Sequence, residues 1–207
     1  MSIILPEPEY KCRKRNALFV CSREKIDDYK SCLGNKCKRC KGSCCKRYPC
    51  TLSPRELLIK DLEYMKNILN TGVLAIAPVV APGLYSEEPV YHVIRPRSIT
   101  DPDTIVVGYP REYPNPCILL GKNGCVLDPL YRPTTGLLFV PPENPKKKCT
   151  QYYDEEMMYK DWAPHQEVVK ELIEIYKDVR IPKPIANEET AKIYSLALRG
   201  ECQKETK

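Results

Sequence analysis

Five cysteines fall between Cys37 and Cys50 in the stretch KCKRCKGSCCKRYPC, with the spacing C-x2-C-x3-C-C-x4-C at Cys37, Cys40, Cys44, Cys45 and Cys50. Two residues between thiols let both sulfurs turn toward one point, about 2.3 Å from a zinc ion or onto neighbouring irons of a cluster. Gly42 relieves backbone crowding inside the loop. Adjacent side chains of an extended chain point to opposite sides, so Cys44 and Cys45 serve two centres, or one of them has a neighbouring structural role. This density and spacing favour metal ligation over disulfides or unligated thiols.

A second group lies further on: Cys117, Cys125 in GKNGCVLDP, and Cys149 in KKKCTQYY. The Asn123-Gly124 turn before Cys125 resembles a knuckle that presents backbone amides to a sulfur, although the usual C-x2-C partner is missing. The two groups together hold eight cysteines, enough for two four-thiolate centres. The competing reading of the second group is buried thiols packed as small hydrophobes. Several thiolates without a histidine among them suit a polynuclear iron–sulfur centre somewhat better than zinc. Cys12, Cys21, Cys32 and Cys202 read as structural or incidental, with Cys32 the best spare ligand. His92 and His165 are the only histidines and neither has a second ligand type at metal spacing. His92 reads as part of an extended segment and His165 as a capping or surface residue near a helix start.

The formal charge is +6, and its distribution is uneven. No acidic residue lies between Asp28 and Glu56, whereas Lys30, Lys36, Lys38, Arg39, Lys41, Lys46, Arg47 and Arg55 all do. Four thiolates around one divalent ion leave a net negative charge, which nearby cations offset while favouring the thiolate forms. The basic residues therefore fit the metal chemistry without requiring nucleic acid. The three-lysine run before Cys149 reads as a solvated loop.

The elements that must position these thiols can be read in outline. CSREKIDDYKSCLGNK predicts a short helix capped by Ser22 and closed by Gly34. TLSPRELLIKDLEYMKNILNTG predicts a longer one starting near Pro54, with a Ser53/Glu56 capping box and an apolar stripe of Leu58, Leu62, Met65 and Leu69 up to Gly72. Residues 77–116 carry eight prolines and read as a proline-rich insertion, with PVYHVI and TIVVGY as short edge strands or extended segments. Residues 154–200 predict C-terminal helices. Val168, Leu172, Ile175, Tyr176 and Val179 share one face of the first, and Asn187 caps NEETAKIYSLALRG, which Gly200 closes.

At 207 residues the chain suits a single domain, 1–207, containing two metal-binding cysteine segments at 36–70 and 115–150. Two phenylalanines and one tryptophan against twenty prolines predict a modest core. The expected fold class is mainly α with irregular, proline-rich segments and short strands, a small metal-centred cysteine-cluster domain. The opening MSIILPEPEYKCRKRN places its basic residues last, the reverse of a secretory leader, and no apolar run is long enough to span a membrane. The expected compartment is the cytoplasm, where clustered cysteines are more often metal ligands or redox groups than disulfides.

The motif at Cys37, Cys40, Cys44 and Cys45, with Gly42 inside and LSPRE following, resembles the zinc- or iron-chelating cysteine-cluster family recognised by CxxCxxxCC. GCVLDPLYRP resembles that family's second segment through Gly124, Cys125, Arg132 and Pro133. The likeness covers roughly residues 36 to 70 and 115 to 140. It departs where the family continues Arg-Pro-x-x-Cys-Arg-x-Phe-Pro, because this chain has RPTTGLLFVP, with Gly136 and Leu137 in place of the cysteine and arginine. Cys149 or Cys50 could supply the missing ligand, or one centre could be absent. The resemblance implies a zinc- or iron-binding protein, and the thiol chemistry leads to the expectation of an iron–sulfur (or zinc) protein acting in redox, in metal-cluster handling, or as a subunit of a larger complex with a protein partner.

Two other functions are open. One is a zinc-stabilised module that binds nucleic acid or an acidic protein through its basic face. The other is a metal-dependent protein-modifying enzyme, since flagellin lysine N-methylases carry a similar cysteine pattern. No phosphate loop, dinucleotide-binding turn or His-Glu-x-x-His motif is present, and no catalytic residue is assigned.

Overall fold

The computed structural model describes residues 45–47, 49–79, 91–109, 114–127, 131–137, 139–140, 150–151, 155–185 and 187–198. The predicted helix over CSREKIDDYKSCLGNK and the closing Gly200 lie outside these residues.

The Ser53 capping box forms as its residues demand, with the Ser53 N–H donating to Glu56 Oε2 at 2.5 Å and the Ser53 hydroxyl accepting from the Arg55 N–H at 3.3 Å. The helix it starts is a single 3-10 turn, Pro54–Glu56, and not the long helix expected there. At Leu57 the chain turns extended (φ −121°, ψ 150°), which buries Leu57 and Ile59 in the core. Asp61 then caps α1 (Leu62–Asn70), its side chain accepting from the Tyr64 N–H at 3.0 Å. The α1 stripe buries Tyr64, Met65, Ile68 and Leu69. Past α1 the chain reverses at Gly72, whose φ of +71° only glycine adopts without strain.

Next come β1 (Leu74–Val79) and β2 (Tyr91–Pro96), antiparallel from Leu74 opposite Pro96 to Val79 opposite Tyr91. Ile105 to Val107 adds a parallel run on the other side of β1, since the Ile76 N–H donates to Ile105 O at 2.9 Å and the Val107 N–H to Ile76 O at 3.0 Å. The free edge of β2 is closed by other parts of the chain. Gln166 exchanges two hydrogen bonds with the His92 backbone, at 2.8 and 2.9 Å, and the Leu52 N–H donates to Ile94 O at 3.1 Å. Because the His92 backbone faces Gln166, its partner Pro78 owes no N–H to the β1–β2 ladder, so proline is tolerated inside this strand.

Shorter elements follow: β3 (Leu120–Gly121), β4 (Gly124–Cys125), α2 (Thr134–Leu137), β5 (Phe139–Val140) and β6 (Thr150–Gln151). The helices α3 (Glu155–Trp162), α4 (Gln166–Tyr176) and α5 (Glu188–Leu198) complete the chain, with a 3-10 turn at Ala163–His165. Helices α3 and α4 pack on β2, while α1 packs on β1, α4 and α5. The buried face of α4 is Val169, Leu172 and Tyr176, and the expected face residues Ile175 and Val179 are exposed. Asn187 caps α5 as its sequence predicts, accepting from the Thr190 N–H at 2.8 Å.

The fold is therefore mixed α/β, which corrects the expectation of a mainly α, metal-centred domain. The Val- and Ile-rich runs of the proline-rich region both pair with β1, one on each side, and enter the interior. Leu52, Met65, Ile68, Leu74, Ile76, Ile94, Ile105 and Trp162 form an apolar core that is almost wholly buried. Among the described residues no helix is long and apolar enough to cross a membrane.

Two stability predictions follow from this packing. A Cβ on Gly72 would stand 2.7 Å from Pro182 O at a positive φ. Gly72→Ala is therefore expected to lose more than about 1 kcal/mol in chemical denaturation, and an unchanged midpoint would contradict it. Burial lowers the pKa values of His92 and His165 below 6.5, and Lys60 also lowers that of His165. The unfolded chain then binds more protons as pH falls through about 6.5, so these groups subtract stability at acid pH. The double variant His92→Gln, His165→Gln should show a flatter Tm profile below about pH 6.5 than the parent, and parallel profiles would contradict this.

Candidate metal site

Of the thiols predicted to ligate metal, Cys45, Cys50, Cys117 and Cys125 are among the described residues, while Cys37, Cys40, Cys44 and Cys149 lie outside them. The run from Cys45 to Ser53 carries the end of the first cysteine segment across the molecule. Cys45 O accepts from the Cys117 N–H at 2.8 Å, and Arg47 O accepts from the Asn115 N–H at 2.6 Å. Cys45 and Cys117, 72 positions apart in sequence (117 − 45), are thus backbone neighbours. Further along, Leu52 O accepts from the Trp162 Nε1–H at 3.0 Å, which ties this run to α3.

Cys117 opens a turn closed by the Leu120 N–H on Cys117 O at 3.0 Å. Inside that turn the Leu119 N–H points at Cys117 Sγ, 3.4 Å away. An amide aimed at sulfur favours the thiolate over the thiol. Cys125 stands opposite Leu120 in the β3–β4 hairpin, whose loop residues are Lys122 and Asn123. Gly124 starts β4 at a φ of +112°, which accounts for glycine just before Cys125. Arg132, part of the same sequence motif, donates from Nε to Leu127 O at 3.1 Å.

Cys50 occupies a different corner. Its thiol is buried, and its Sγ lies 3.1 Å from where a Cβ on Gly136 would stand. The two segments are locked together here by Thr51 and Thr135, with the Thr51 N–H donating to Thr135 Oγ1 at 2.6 Å and the Thr135 hydroxyl to Thr51 O at 3.0 Å. The Cys50 sulfur thus fills the space beside Gly136 that a larger residue at 136 would need.

Cations and a phenol complete the surroundings. Lys46 and Arg47 follow Cys45 in sequence and are exposed. Tyr194 on α5 is fully buried, and its pKa is raised well above 10 by burial first, then by Glu56, Tyr64, Cys125 and Cys117. His92 sits in β2 and His165 at the N-cap position of α4, where its side chain makes no capping bond.

Among the described residues no group of three or more His, Cys, Asp or Glu side chains is arranged to hold a metal ion. What the fold does bring together is the backbone of Cys45 with that of Cys117, while Cys117 and Tyr194 belong to the one apolar core, against which Cys125 packs. Sequence reasoning missed Tyr194. The spacing of Thr190, Tyr194 and Leu198 signals a buried face of α5, but nothing local to the helix points to its partners in the core. No protein-family model, curated protein or solved structure matches this chain.

The contact at Gly136 makes a prediction. Gly136→Ala is expected to cost about 1–3 kcal/mol through overpacking against Cys50, and Cys50→Ala should recover part of that loss in the double variant. Strictly additive losses in urea denaturation would show that the sulfur does not restrict position 136.

Proposed function

We propose that this is a metal-binding cysteine-cluster protein. Its ligands are drawn from Cys37, Cys40, Cys44, Cys45 and Cys50 of the first segment and Cys117, Cys125 and Cys149 of the second. The observation that carries the reading is the Cys45–Cys117 backbone pairing, which joins the two cysteine segments. The described donors are of the type a soft, thiolate-binding metal takes, and supporting features are an amide directed at Cys117 Sγ and exposed cations following Cys45 in sequence.

The favoured group is an iron–sulfur cluster, with zinc the alternative; the first would supply one-electron chemistry and the second a redox-inert tie between segments. The chain's own residues would hold and shield such a group. Apolar packing around Cys117 limits water access, the Leu119 amide stabilises the sulfur charge, and Lys46 and Arg47 offset what remains. On this reading the protein works in the cytoplasm in redox or metal-cluster handling, or as a subunit of a larger complex with a protein partner.

The test is anaerobic purification followed by an absorption spectrum and assays of iron, zinc and sulfide per chain. Matched iron and sulfide in a coloured protein is the expected result, and stoichiometric zinc in a colourless one selects the alternative metal. Cys117→Ser should weaken metal retention by at least about 10-fold in a chelator competition. A folded chain free of both metals, and unable to take them up when reduced, would overturn the proposal.

A further inference from the structure

The hydrogen bond from the Cys117 N–H to Cys45 O, at 2.8 Å, fixes more than a main-chain pairing. The covalent lengths on either side of such a contact leave the two Cα atoms no further apart than about 6.7 Å. Disulfides join residues whose Cα atoms lie roughly 4.4–6.8 Å apart, so these two cysteines stand within bridging range. Their side chains also share a destination, since Cys117 belongs to the apolar core and Cys45 packs against it. Both are thiols in this structure, and they differ in access: Cys45 is half-buried, whereas Cys117 is 5% exposed. The other described cysteines face different neighbours, Cys50 beside Gly136 and Cys125 opposite Leu120.

We propose that Cys45 and Cys117 form a peroxide-sensitive pair that closes into a disulfide. The more accessible Cys45 sulfur attacks one oxygen of hydrogen peroxide, the O–O bond breaks, and Cys45 becomes a sulfenic acid as the other oxygen leaves as water. The Cys117 sulfur, toward which the Leu119 N–H points at 3.4 Å, then attacks the Cys45 sulfur. The S–S bond forms, the S–O bond breaks and a second water leaves. Two thiols thereby give up two electrons and two protons, and one peroxide becomes two waters. The bridge ties the two cysteine segments covalently, and in a reducing compartment thiol exchange reopens it. This pairing rests on backbone geometry and not on the metal-binding reading. It adds to that reading a means of release, because a disulfide withdraws both sulfurs from any metal.

The test uses the full-length chain, reduced and treated with a chelator so that metal occupancy does not decide the outcome. Hydrogen peroxide is added in increasing molar ratio, remaining thiols are alkylated, and tryptic peptides are analysed by mass spectrometry without reduction. Residues 42–46 and 112–122 are each bounded by tryptic sites, and Cys117 is the one cysteine of the second peptide. The expected product is these two peptides joined, two hydrogens lighter than the separate pair, as the dominant pairing of Cys117 and lost on adding dithiothreitol. Because residues 42–46 also hold Cys44, Cys44→Ser should keep the link and Cys45→Ser should abolish it. The same treatment in urea should scatter Cys117 among several partners. A different dominant partner for Cys117, a link that persists in Cys45→Ser, or Cys117 recovered alkylated while other thiols oxidise would overturn the proposal. The parent chain alone gives the first and third of these readouts, so a variant that does not fold leaves the test decisive. Failure of the link leaves metal binding untouched, and a parent chain that takes up neither iron nor zinc overturns the metal-binding reading while the link is still read.

Discussion

The satisfaction of the backbone between Cys45 and Ser53 is the constraint on which the rest of the structure depends. This run belongs to no regular helix or sheet before Pro54, so its carbonyls and amides must find partners elsewhere. They find them on Cys117, Asn115, Thr135, Ile94 and Trp162. Each bond reaches a different part of the later chain, and the same contacts that complete the backbone also set the position of Cys45 and Cys50. The described end of the first cysteine segment, at Cys45 and Cys50, is therefore anchored through main-chain bonds.

Behind that run, buried charge organises the turns that carry the second cysteine segment. Arg95 forms a bidentate pair with Asp101, at 2.8 and 3.0 Å, and Asp101 also accepts from the Ser98 N–H at 2.7 Å. Arg97, without exposure, donates to Ile181 O at 2.7 Å and Gly72 O at 3.3 Å and also reaches Pro102 O. One guanidinium thus holds together the α1–β1 turn, the loop after β2 and the segment following α4. Since the Ile118 N–H donates to Arg97 O at 2.8 Å, the same residue places the turn that begins at Cys117. Such groups are costly to bury and are retained where their hydrogen bonds specify one arrangement of loops.

The described thiols lie where these two systems meet. Cys117 is enclosed by the apolar core, which disfavours a charged sulfur, while the Leu119 amide favours one. Cys45 and Cys125 are partly open, and Cys45 adjoins exposed cations. The three sulfurs therefore experience different surroundings.

Features carried by neighbouring residues were legible in the sequence. The Ser53/Glu56 capping box, the glycine at 72, the Asn187 cap and the existence of the C-terminal helices each follow from bonds spanning a few residues. The spacing of the thiols and the lysines and arginines among them are likewise sequence facts, as is their suitability for a soft metal. What tertiary structure decided was which of several local options prevailed. Ser53 and Asp61 are both good caps, and the path between them was settled by burial of Leu57 and Ile59. Val168 and Val169 both suit an apolar face, and contact with β2 and α1 selected Val169. Short strands at PVYHVI and TIVVGY were legible, whereas β1 between them and the buried place of the sheet were not, because a sheet is made by pairing distant segments and no single segment records its partner. Cys45 beside Cys117 and Cys50 against Gly136 arise in the same way, from contacts whose two halves lie far apart along the chain.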